Sequence, residues 1–128
     1  MSLLTRQNAC ERANARLGRK SLADQRSGAV FKAVITAAAC DGDAATALHR
    51  FYATRIAEWA PCVEQAVARG DVPQGTDASE VIRAVSAPLY YRFLVSGDPL
   101  DVAAADRAAR AAGDAARAGA YTAVYDRP

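Results

Sequence analysis

The sequence predicts an all-α fold, a bundle of about five helices built from residues 1–128 as one domain. Two observations carry this. Hydrophobic residues make up 52% of the chain, but much of that is alanine, the strongest helix former, and aromatic residues reach only 7%. β-Branched residues are sparse, and Asp, Ser and Gly recur where helices would start and stop. A chain of 128 residues is long enough to bury a real core.

Residues Leu4–Lys20 read as a first helix, with Leu4, Cys10, Ala13 and Leu17 towards one side and an end at Gly18. Ser21-Leu22-Ala23-Asp24 has the spacing of a capping box, so a second helix is expected to run through Gln25–Cys40. Its centre, Ala29 to Ile35, is apolar almost all round, which predicts burial on most sides. Gly28 costs that helix roughly 1 kcal/mol relative to alanine. It is expected to be tolerated because another backbone passes close.

Asp41-Gly42-Asp43 forms a turn, with Asp43 placed to cap a third helix from about Ala44 to Arg69. Leu48, Phe51, Tyr52, Arg55, Ile56, Trp59, Val63 and Val67 follow a clear helical period. Pro61 removes one hydrogen bond, predicting a kink or break near residues 57–59. Gly70 should end the helix as a left-handed cap, and Pro73 prevents it resuming.

Asp77 and Glu80 form another capping-box pair, opening a fourth helix. Val81, Ile82, Val85, Leu89, Phe93 and Leu94 give it too broad an apolar surface for one wet side, so it must be covered on two sides, by its own domain alone or with another chain. Pro88 should bend it. Tyr90 and Tyr91 lie about 100° apart on a helix and cannot share a face. Tyr90 is expected inward. Ser96-Gly97-Asp98-Pro99 ends this helix, and a fifth begins at Asp98 or Asp101 and continues to about Ala120. Its stripe of small residues suits close packing against a helix across a two-fold axis, the alternative being packing on its own domain. Tyr121–Pro128 reads as a tail.

Several chemistries have no visible machinery. A net charge of +2 does not predict nucleic-acid binding by this chain alone, and the arginines are interleaved with acids. No apolar run approaches the roughly 20 residues that span a bilayer, so no membrane partner is expected. Cys10, Cys40 and Cys62 lack metal-ligand spacing, and their odd number predicts free, buried thiols in a reducing cytoplasm. His49 is the only histidine, without a nucleophile partner. We expect no catalytic residues, no metal and no cofactor. The best pocket constellation is Phe51, Tyr52, Arg55 and Trp59: flat apolar walls with polar handles, and a guanidinium able to orient a carboxylate or a ring oxygen.

The most specific stretch is Ala68-Arg69-Gly70-Asp71-Val72, then Asp77, then Ala87–Asp101, APLYYRFLVSGDPLD. With Pro88, Leu89, Tyr90, Tyr91, Arg92, Gly97 and Pro99 in place, it resembles the C-terminal half of bacterial TetR-family transcriptional regulators. No segment resembles that family's helix-turn-helix. The chain therefore looks like the effector-binding and dimerisation domain alone, TetR C-terminal-domain-like. The resemblance implies a cytoplasmic homodimer that senses a small, mostly apolar effector, with DNA bound through an N-terminal domain absent from this chain. The last two helices of each copy would pair as a four-helix bundle, placing Val85, Leu89, Tyr91, Val102, Ala105, Ala109, Ala112, Gly113 and Ala116 at the interface. Phe31, Ile35, Phe51, Arg55, Trp59 and Tyr90 are the residues expected to bind ligand. Two other readings stay open: a stand-alone helical carrier or enzyme for an aromatic or acyl substrate, and a ligand-free structural dimer.

Overall fold

The computed structural model describes residues 3–123, with side chains from residue 9 onward. The side chain of Leu4, on the first predicted face, and the tail residues 124–128 lie outside that description. The described chain is all-α: α1 (Leu3–Ala23), α2 (Gln25–Cys40), α3 (Gly42–Ala68), α4 (Ala78–Tyr91), a π-helical turn (Arg92–Ser96) and α5 (Val102–Arg117).

α1 does not stop at Gly18. It continues to Ala23, because Ser21 donates to the Leu17 carbonyl instead of capping. Its buried face is Glu11, Asn14, Ala15 and Leu22, not the expected one; Ala13 and Leu17 are exposed. The cap of α2 is Asp24, which accepts from the Ser27 N–H at 2.8 Å. α2 is also wetter than its composition suggests, with Val30 and Val34 exposed. It packs on α3 and on α1, so much of its apolar surface stays open.

Gly28 sits where α2 meets α1. A Cβ there would stand 2.6 Å from the Leu22 carbonyl oxygen and 3.3 Å from Phe93 Cε2. Gly28→Ala is therefore expected to destabilise the protein by about 1–3 kcal/mol, overriding its gain in helix propensity. A thermal melt of the variant checks this; a raised Tm would mean the helices part without strain.

α3 is capped by Asp41, not Asp43: its carboxylate accepts from the Asp43 N–H at 3.0 Å. The helix runs without a break past Pro61, so of the two expected outcomes near residues 57–59 the break is absent. It ends in a Schellman cap. Asp71 N–H donates to Ala66 O, Gly70 N–H to Val67 O, and Gly70 takes φ +80°. Asp77 caps α4 through Ser79 and Glu80 N–H. The reciprocal half of that capping box does not form, because Asp77 N–H donates to Tyr121 O and Glu80 pairs with Arg83. That backbone bond and an antiparallel bridge between Thr76 and Thr122 clip the end of the chain onto the α3–α4 loop.

Asp101, not Asp98, caps α5, accepting from Ala104 N–H at 2.8 Å. Pro99 precedes the helix, and its carbonyl accepts from Arg92 at 3.0 Å. The small-residue stripe faces inward. Ala105, Ala108, Ala109 and Ala112 pack with Ala15 and Leu22 of α1 and with Val85 and Leu89 of α4. Ala116 joins a second core with Val63, Ala66, Val72, Val81 and Ile82. Arg16 clamps Asp106 through two bonds of 2.9 Å, tying α1 to α5.

The residues expected at the dimer face fall into two groups. Val85, Leu89, Ala105, Ala109, Ala112, Gly113 and Ala116 are buried within their own chain and have no surface left for a partner. The small side chains do permit close helix approach, but it is α1 and α4 of the same chain that approach. Of the nine residues, only Tyr91 and Val102 are exposed.

The cysteine expectation is corrected. Cys10 and Cys62 form a disulfide linking α1 to α3, with Cα atoms 6.4 Å apart, and Cys40 is exposed rather than buried. A spacing of 52 residues in sequence gives no sign that two helices will bring the pair together.

Candidate ligand pocket

Helices α1, α3 and α4, with Phe31 of α2, line a half-open cavity of about 540 Å³. That volume lies in the range of small-molecule sites, roughly 300–1,000 Å³. Each wall is a helical stripe. α3 contributes Tyr52, Arg55, Ile56 and Trp59; α4 contributes Arg83, Ser86, Ala87 and Tyr90; α1 contributes Asn14, Gly18 and Ser21. Phe31 of α2 and the half-exposed Phe51 stand at 6.2 Å between ring centroids.

An aromatic run crosses this site. Phe51 meets Tyr52 edge-on at 5.2 Å, and Tyr52 meets Tyr90 edge-on at 5.7 Å. These tilted geometries suit ring quadrupoles, which makes the wall stiff as well as apolar. The Tyr52 and Tyr90 hydroxyls share a hydrogen bond of 2.6 Å. Burial pushes both phenols above their ordinary range, and the shared bond holds the Tyr90 proton further. The Arg55 charge acts on both hydroxyls in the opposite sense, without overcoming burial. Both tyrosines therefore stay neutral at physiological pH.

Arg55 Nη1 lies 3.6 Å from Glu58 Oε2 on a partly exposed stretch of α3. Such a pair contributes little to stability, so the guanidinium can turn to another acceptor at small cost. Asn14 is 9% exposed, and its Nδ2 has no hydrogen-bond partner among the described residues. An unsatisfied buried amide donor costs about 1–3 kcal/mol.

The structure thus brings Phe31, Phe51, Arg55, Trp59 and Tyr90 to one cavity and leaves Ile35 out of it. Ile35 lies one turn beyond Phe31 on α2. Tyr91 points away and is 59% exposed. The α1 wall is not among the expected residues. Its signal is nonetheless there, because Asn14, Gly18 and Ser21 recur at i, i+4 and i+7, a narrow small-and-polar stripe on one helix face. Leu89, expected at a dimer seam, lines the cavity from the core side.

No cluster of three or more His, Cys, Asp or Glu able to hold a metal occurs among the described residues. His49 is exposed on α3 and does not line the cavity. No helix among the described residues is long and apolar enough to cross a membrane.

The described residues thus form an all-α body with an apolar, aromatic-lined cavity between its helices. Residues 12–112 match the family described as the tetracyclin repressor-like C-terminal domain. The chain belongs to that family. None of the curated proteins compared with it matches.

Proposed function

We propose that this chain is the effector-sensing and dimerisation body of a TetR-like transcriptional regulator. One observation carries the sensing part: in a domain of this family, a cavity of about 540 Å³ is walled by Phe31, Tyr52, Trp59 and Tyr90. A small, mostly apolar molecule enters it. Binding shifts the balance between two arrangements of the body by as much as its affinity differs between them. DNA is bound by a helix-turn-helix domain outside these residues. The role is regulatory and non-catalytic, in the cytoplasm.

The partner is a second copy of the chain. Tyr91, Leu94, Val95 and Val102 are exposed apolar residues on the segment that joins α4 to α5. They replace the inward-facing stripe as the face that meets the partner. Light scattering tests this part: a dimer that Val95→Asp converts to a monomer supports it, and a folded wild-type monomer overturns it.

Sensing is tested by a thermal-shift screen of ring-bearing compounds with Trp59→Ala in parallel. A ligand present at 100 times its Kd adds about 2.7 kcal/mol of stability. Wild-type protein is expected to show raised melting temperatures that the folded variant lacks. Equal shifts in both proteins would place binding elsewhere.

A further inference from the structure

We infer that the cavity takes an amphipathic anion, a ring-bearing carboxylate, and that Asn14, Arg55 and the Tyr52–Tyr90 hydroxyl pair receive its acid group. This rests on the sensing role proposed above and narrows it to a ligand class.

Among the described residues, the charged side chains that line the cavity are both cationic, Arg55 and Arg83, and no carboxylate lines it. Each arginine has a carboxylate neighbour, Glu58 or Glu80, but those pairs are half-exposed and neither acid lines the cavity. Asn14, 9% exposed at the α1 wall, holds an amide donor with no partner among the described residues. The tyrosine pair adds a further donor. One O–H is used between the two oxygens, 2.6 Å apart, and the second remains for a third group. An uncharged hydrocarbon would leave these donors unused. A cation would meet Arg55. A carboxylate accepts from several donors at once, and charge-assisted bonds of this kind are the strong ones.

The rest of the wall sets the body of the ligand. Phe31, Phe51, Trp59 and Ile82 offer apolar and ring surfaces suited to a flat ring system. Gly18 adds no side chain to the wall facing Leu89, where a Cβ would stand 3.9 Å from Leu89 Cδ1 in ordinary contact.

The test is isothermal titration of the wild-type chain with 2-naphthoate and biphenyl-4-carboxylate, each beside its neutral primary amide, at pH 7. The inference expects at least one acid to bind tenfold or more tighter than its amide. Arg55→Gln should erase that preference, and Asn14→Leu should reduce it. Circular dichroism of both variants confirms that they fold. Amides binding as tightly as acids would overturn the carboxylate assignment and leave the apolar chamber standing. If neither acids nor amides bind the folded protein, the sensing role falls, and the assignment with it. An acid preference that survives both substitutions would also overturn it, since other residues would then hold the charge.

Discussion

Reduction of the Cys10–Cys62 bond is expected to lower the stability of this domain by about 4 kcal/mol. The magnitude follows from the 52-residue separation of the two cysteines, because cross-linking a long loop removes entropy from the unfolded chain. Strain or residual structure in the reduced, unfolded chain would make the loss smaller. For a domain of 128 residues, that loss corresponds to a Tm drop on the order of 10–20 °C. Scanning calorimetry with and without a phosphine reductant measures it. Cys62→Ser should melt at the reduced wild-type temperature and ignore the reductant. Equal Tm values, together with three titratable thiols in the untreated protein, would show that the bond does not form. The bond also joins α1 to α3, two walls of the cavity. Hydrogen exchange in the first half of α1 is therefore expected to speed up on reduction.

Leu89→Ala is expected to cost about 3–5 kcal/mol, the upper part of the usual range for a buried leucine. Leu89 is 2% exposed and sits among Ala15, Ala105, Ala108 and Ala109. Alanines on stiff helices cannot swing in to refill the space, so the void persists. Tyr91→Ala, two residues on, makes the contrast. Its side chain is 59% exposed, and removing it should change monomer stability by no more than about 0.5 kcal/mol. Urea denaturation of the two variants measures the difference directly. Similar losses would mean that Tyr91 is covered in solution, which the proposed face between copies would produce.

The α3 stripe of the site is legible in the sequence itself. Phe51, Arg55 and Trp59 share one face of α3 because of a period that depends only on helix geometry. That Phe31 and Tyr90 belong with them, and Ile35 does not, depends on how α2 and α4 approach α3. Asn14 is the least visible. A polar residue on a helix reads as solvated until the helices around it are placed.

Local features follow from the order of residues alone. The all-α class follows from alanine content, and the end of α3 from Gly70, where only a left-handed residue completes the Schellman bonds. The start of α4 follows from Asp77, whose carboxylate lies two and three residues from the donors it satisfies. Tertiary structure decided the rest. The disulfide needed α1 and α3 brought together across 52 residues. The start of α2 lies at Asp24 because α1 keeps its own hydrogen bonds past Gly18. The alanine stripe of α5 looks the same whether its own chain or a second copy covers it. Small side chains specify that something must come close, and only the packing of α1 and α4 shows what does.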